Sequence, residues 1–207
     1  MIRTLRRSAL ALTLALSSVA TIAVVFPAGD VLAATPAATT YLKGKHEEVQ
    51  KLLKTPATPD REKKIDAALD ALVDYDQMAK DALGANWEKR SDGEKKEFTD
   101  LLRQLIQKNY KKKLQQTLDY QIDYTGEDAK GSDVVVHTEA KNVNDKRESS
   151  VQIDYVVRKK GTGYIVVDLI PEQSSMIKTY NKEFTKVITK DGFPAVIQKM
   201  KDKLAKP

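Results

Sequence analysis

Few side chains in this sequence could do chemistry. Histidine occurs twice, at His46 and His137, in separate predicted elements. A general base works only within hydrogen-bond reach of the group it activates. His46 falls in a charged helical stretch and is expected to face solvent. His137 lies in a predicted strand, on the face opposite Val136. Ser174-Ser175 lacks the flanking glycines of a nucleophile elbow. Asp74 and Asp76 flank Tyr75 near a predicted helix start, where acids serve as caps or dipole partners. No glycine-rich phosphate loop occurs, and no cluster has metal-ligand spacing. Cysteine is absent, which excludes a disulfide framework, a thiol nucleophile and a cysteine metal site. No catalytic residue, metal or cofactor is therefore assigned. An enzyme on this scaffold would need a cavity lined by at least one shifted acid or base, and His137 is the one obvious imidazole to look for.

The elements that would position a site follow an export signal. Arg3, Arg6 and Arg7 form a basic start, and no charge occurs from Ser8 to Phe26. Pro27 and Gly29 break the run, and Val31-Leu32-Ala33 fits a signal-peptidase site. The run is about long enough to span a bilayer, but its Ala, Ser and Thr content and its breakers favour cleavage after Ala33 over an uncleaved anchor. The domains expected are a signal peptide at 1–33, a flexible leader at 34–43 and one domain at 44–207. The mature 174 residues carry 32 basic and 28 acidic side chains. That mixture is not the basic clustering of a nucleic-acid binder. No second apolar stretch reaches membrane length, so stable insertion is not expected.

Within the domain, a short helix is predicted over 44–54, stopped by Thr55-Pro56 and Pro59. A second starts near Asp60 with Ile65, Ala68, Leu69 and Leu72 on one face, continued by Tyr75, Met78, Ala79 and Leu83 to a Gly84 cap. Ser91 and Glu94 form a capping box. It opens the longest helix, striped by Phe98, Leu101, Leu102, Leu105, Ile106, Tyr110 and Leu114. Period-two alternation then marks four strands: Tyr120–Tyr124, Val134–Thr138, Val151–Val157 and Tyr164–Ile170. Val135 makes the second strand apolar on both sides. Helices return near 173–189 and after Gly192-Phe193-Pro194. Helices, an antiparallel meander and more helices predict an α+β fold, with helices packed on one face of a curved four-stranded sheet. The long helix facing the sheet has two readings, an ordinary dry core or the walls of a ligand cavity, and periodicity alone does not separate them.

The order of these segments resembles the MlaC (toluene-tolerance) family. Val73-Asp74-Tyr75-Asp76-Gln77-Met78-Ala79, Leu83-Gly84, Trp87, Ser91, Glu94 and Phe98 carry the resemblance in the first half. Val151-Gln152-Ile153-Asp154-Tyr155, Gly163-Tyr164-Ile165-Val166-Val167-Asp168, Ser175-Met176-Ile177, Tyr180, Phe184 and Gly192-Phe193 carry it in the second. The resemblance covers about 44–204. It implies a cone-like, nuclear-transport-factor-like fold with a lipid pocket between helices and sheet, and a periplasmic phospholipid carrier rather than an enzyme. The implied partners are phospholipid, an inner-membrane ABC transporter complex with MCE-domain subunits, and an outer-membrane lipoprotein–porin complex. The carrier itself is expected as a monomer.

The implied lipid-binding residues are Phe98, Leu102, Leu105, Ile106 and Tyr110 on the long helix, and Val136, Val151, Ile153, Tyr155 and Val166 on the sheet. Met176, Ile177 and Tyr180 are expected at the mouth. Leu83 and Trp87 are assigned to structure. Lys108, Lys111, Lys112 and Lys113 form a basic cluster that is either a solvated face or a docking patch. The sequence departs from the family at Pro171, at Gln173-Ser174, where Gly-Val is usual, and at Asn181, where Arg is usual. These departures leave another lipid, such as a hopanoid, as an alternative cargo. An interaction or chaperone module without ligand is the other alternative.

Overall fold

The structure, a computed structural model, describes residues 37–145 and 147–206, and for residues 112–117 the backbone alone. The expected export signal lies outside the described residues. The first helix, α1, runs Ala37–Leu53. From Ala37 onward it replaces the flexible leader expected over 34–43, of which residues 34–36 lie outside the described residues. Ala38 and Leu42 are fully buried and extend a stripe through Val49 and Leu53. Thr39 also ties the helix down, its N–H and hydroxyl donating to the Glu127 carboxylate at 2.8 and 2.9 Å. Two polar ties and two buried side chains are enough to order a segment whose Ala/Thr composition reads as a linker.

Helix α2, Pro59–Leu72, has Thr58 as its cap, accepting from the Arg61 N–H, and Pro at its first position. The apolar pattern expected to continue from Asp60 to Leu83 is broken at Val73-Asp74. There the chain is extended, and Asp74 N–H donates to the carbonyl of Val166 at 3.0 Å. Val73 thus makes a parallel bridge to Val166, covering part of an open sheet edge. Asp74 then caps α3, Tyr75–Leu83, by accepting from Gln77 N–H. Helix α4, Asp92–Gln116, spans about 38 Å at the usual rise. Its capping box is formed: Ser91 N–H donates to Glu94 at 2.8 Å and Glu94 N–H to Ser91 Oγ at 3.3 Å.

Strands β1 (Tyr120–Lys130), β2 (Asp133–Asn142), β3 (Val151–Lys160) and β4 (Gly163–Pro171) form one antiparallel sheet in sequence order. Thr138 faces Ile153, and Val157 faces Val166. Val156 faces Asp168, so Val167 is an extra residue on β4. The bulge interrupts the alternation, leaving Val167 and Asp168 together on the outer side while Val166 and Leu169 face inward. The inner face, with Val136, Tyr155, Val157 and Val166, joins the main core. The outer face carries a small cluster of Val135, Val156 and Val167, which is why β2 is apolar on both sides.

After β4, Glu172 and Gln173 take positive φ (46° and 64°) to turn the chain. Asp168 accepts from Ser175 Oγ at 2.5 Å and from Ile177 N–H at 3.1 Å, fixing the start of α5, Met176–Asp191. Gly192 leads into α6, Phe193–Ala205. The main core gathers α1, the end of α2 at Leu72, α3, α4, α5, α6 and the inner sheet face. A second cluster of Val49, Leu53, Ile65 and Leu69 joins α1 to α2. Among the described residues, no helix is long and apolar enough to cross a membrane.

Candidate functional site

The seam between α4 and the inner sheet face brings together most of the apolar residues singled out by sequence. Phe98 and Leu102 are fully buried, and Leu105, Ile106, Val136, Tyr155, Val166 and Ile177 are buried in the same cluster. Ile153 and Tyr180 are half-buried and packed against it. Phe98 meets Phe184 edge-on at 5.3 Å and Phe193 at 6.2 Å, so its ring belongs to the α4–α5–α6 end of the seam. Tyr180 stacks on Phe184 at 5.6 Å. Tyr110 packs instead on the α1–α2 cluster. Val151 and Met176 are half-buried, at the start of β3 and of α5, and join neither cluster. Leu83 is fully buried and Trp87 packs on the core. The side chain of Leu114 lies outside the described residues.

Sequence reasoning missed a polar group inside this seam. His46, expected to face solvent, is 7 % exposed. It continues the buried α1 stripe of Ala38, Leu42, Val49 and Leu53, spaced at three and four residues. That spacing was the available signal, masked by charged neighbours. Its Nδ1 lies 2.6 Å from the Tyr124 hydroxyl. Its ring meets Tyr155 edge-on at 5.0 Å. Burial pushes its pKa down from 6.5 to about 4, so the imidazole is neutral. Burial likewise raises the Tyr110, Tyr124 and Tyr155 hydroxyls, which stay protonated. Tyr75 is raised by burial and by the nearby Asp70. The seam is therefore an uncharged interior with a few neutral polar groups.

His137 lies on the other face of the sheet. Its Nδ1 is 2.9 Å from Asp154 and its Nε2 3.1 Å from Asp128. The hydrogen bond to Asp154 is the main cause of its raised pKa. Both ring nitrogens are occupied by carboxylates. No cluster of His, Cys, Asp or Glu among the described residues could hold a metal ion.

The expected basic cluster is partly tied inward. Lys108 donates to the carbonyls of Leu204, at 3.1 Å, and Lys206. Lys111 pairs with Asp66 at 2.8 Å and Glu62 at 3.5 Å. The side chains of Lys112 and Lys113 lie outside the described residues. Asn181, where the family carries Arg, donates to the carbonyls of Asp81 and Ala82 at the end of α3, each at 3.3 Å.

Two hollows open elsewhere. One, about 540 Å³, lies beside α5 and the outer sheet face, bordered by Val156, Val167 and Lys178. Another, about 700 Å³, runs between α1 and α2 along Leu52 and Ala68. Along the seam itself the apolar side chains meet one another.

A family model described as MlaC protein matches residues 44–202. The chain belongs to the MlaC family. Membership makes it a phospholipid-binding lipid carrier of the Mla system and not an enzyme. The fold is also that of a solved structure, a phospholipid-binding protein from Ralstonia solanacearum in complex with a phospholipid. The match has a TM-score of 0.70 at 22% identity and covers 82% of this chain and 98% of that one. No curated protein matches the chain. The α+β class, with a four-stranded antiparallel sheet between two groups of helices, agrees with the expectation for this MlaC chain.

Proposed function

We propose that this MlaC protein is a periplasmic carrier that takes phospholipid between an inner-membrane ABC transporter with MCE-domain subunits and an outer-membrane lipoprotein–porin complex. In that role it maintains outer-membrane lipid asymmetry. Export through residues 1–33 would place it in the periplasm. The acyl chains enter the seam, parting α4 and α5 from the inner sheet face. Phe98, Leu102, Leu105, Ile106, Val136, Ile153, Tyr155 and Val166 then line them, with Met176, Ile177 and Tyr180 at one end. Tyr110 and Val151 lie at the seam's margins and contact only a longer chain.

The observation that carries this reading is the uncharged cluster that links the six helices to one sheet face. A bared methylene costs about 0.8 kcal/mol, so two chains of about sixteen carbons would cost roughly 25 kcal/mol in water. A seam lined by aliphatic and aromatic side chains removes that cost without a headgroup clamp. An interaction module would instead present a broad apolar patch. Among the described residues Val143 is the exposed large hydrophobic, at 53 %, and one side chain makes no patch.

Native mass spectrometry with lipid extraction, on mature protein purified from a bacterial periplasm, tests the proposal. A stoichiometric diacyl phospholipid is expected. Protein that arrives clean, and stays clean after incubation with phospholipid vesicles, overturns it. Loading only from vesicles that contain a hopanoid would reassign the cargo.

A further inference from the structure

His46 has one ring nitrogen occupied and one buried without a partner. Nδ1 is 2.6 Å from the Tyr124 hydroxyl. Nε2 is buried and has no hydrogen-bond partner. A phenol is the better donor and an imidazole lone pair the better acceptor, so Tyr124 donates to Nδ1 and the ring hydrogen sits on Nε2. The result is an N–H donor with no acceptor, on a side chain more than nine-tenths buried, inside the helix–sheet seam. Buried donors are paired in nearly all native structures, and an exception needs an explanation. The groups that face the ring are Tyr124 from β1 and Tyr155 from β3, both neutral.

We propose that the His46 Nε2–H is the hydrogen-bond donor for an ester carbonyl oxygen of a glycerolipid seated in the seam. This rests on the carrier reading and deepens it, because it names the chemical class of the cargo. Three oxygen types could approach the donor. A phosphate oxygen brings a charge, and neither Tyr124 nor Tyr155 can neutralise it at this depth. A hydroxyl accepts, but also brings a second donor that needs its own acceptor. An ester carbonyl is an acceptor only and matches a single N–H. The site therefore favours ester-linked glycerolipids over ether-linked ones and over hydrocarbon polycycles, which lack the acceptor.

The test compares two probes that differ only in that oxygen: dipalmitoyl phosphatidylglycerol and its di-O-hexadecyl ether analogue. The mature full chain is offered equal amounts of both in mixed vesicles, and the bound lipid is counted by native mass spectrometry. The wild-type protein is expected to take the ester about tenfold over the ether, the scale of one buried hydrogen bond. H46F, which keeps a planar aromatic ring and loses the donor, is expected to take both without preference. Y124F, which frees the tautomer, is expected to reduce the preference. In ¹⁵N spectra the His46 Nε2–H resonance should move on loading the ester and not the ether. Equal uptake by the wild type, or a preference retained in H46F, overturns the proposal while leaving a lipid carrier in place. Uptake of neither probe by the wild type removes the carrier reading and this proposal with it. Should H46F fail to fold, the wild-type ratio and the Y124F ratio still decide.

Discussion

Stability should fall in mild acid because of one side chain. His46 is held neutral in the folded chain, its pKa lowered from 6.5 to about 4 by burial alone. Below pH 6.5 the unfolded chain binds a proton at position 46 that the folded chain refuses. Unfolding therefore takes up protons in this window, and stability falls as the solution is acidified. The effect is absent above about pH 7, is half developed at about pH 5.2, and levels off below about pH 4. Its full size is about 3 kcal/mol, with about 2–3 kcal/mol lost by pH 4.5. His137 acts in the opposite sense. Its pKa is raised by Asp154, so its contribution is present at low pH and lost as pH rises. The raw profile mixes both, and the carboxylates add to it. The difference between wild type and H46F isolates position 46, because every other group is common to both. Urea unfolding at intervals from pH 4.5 to 8 gives that difference directly. H46F should gain on the wild type by about 2–3 kcal/mol between pH 7.5 and 4.5, a relative midpoint shift of about 1 M urea or more. A difference that stays flat across this range refutes the buried, neutral imidazole.

Other outcomes follow from packing. Phe98→Ala removes a fully buried ring seated against Phe184 and Phe193 and should cost about 3–5 kcal/mol in urea unfolding. Gly84→Ala should cost about 1–2 kcal/mol or more, because φ is +52° and an added Cβ would lie 2.6 Å from Asn181 Nδ2. Combined with Asn181→Ala, part of that cost should disappear in a double-mutant cycle. Lys111→Glu places a third carboxylate beside Asp66 and Glu62 and should lower stability by about 0.5–1 kcal/mol, less at high salt.

The strands were legible because a half-buried strand has a period of two, and Val151, Ile153, Tyr155 and Val157 display it openly. The capping box of Ser91 and Glu94 was legible for an equally local reason. What failed depended on neighbours. His46 sits among Lys43, Lys45, Glu47 and Glu48, and composition reads such a stretch as solvated. Only the spacing from Leu42 to Val49 reveals the buried face. The leader misled because buried alanines look the same as exposed ones in sequence. The break at Val73-Asp74 was hidden because apolar spacing runs through it, whereas the physical cause is a bridge to Val166 far along the chain. Along α4 the stripe gives the facing side but not the partner. Phe98 meets α5 and α6 at one end of the helix, and Tyr110 meets α1 and α2 toward the other.

That division along α4 bears on how a carrier can exchange its cargo. Along Leu102, Leu105 and Ile106 and the inner sheet face, the side chains that line the seam are apolar, protonated tyrosines or the neutral His46. Replacing their mutual contacts by contacts with a hydrocarbon chain exchanges like for like, and the net change per methylene is small compared with transfer to water. Loading therefore need not unfold the frame that carries the seam. The frame is fixed by groups outside the exchange. Asp168 holds the start of α5, Asn181 joins α5 to α3, Lys108 joins α4 to the end of α6, and Thr39 joins α1 to β1 through Glu127. A seam without charge, bounded by elements tied through polar contacts at their ends, can part along its length while its rim stays in register. On this view headgroup selectivity is weak by construction. Discrimination then falls to chain volume and to the few neutral polar groups inside, among which His46 Nε2 and the Tyr75 hydroxyl are buried without a partner.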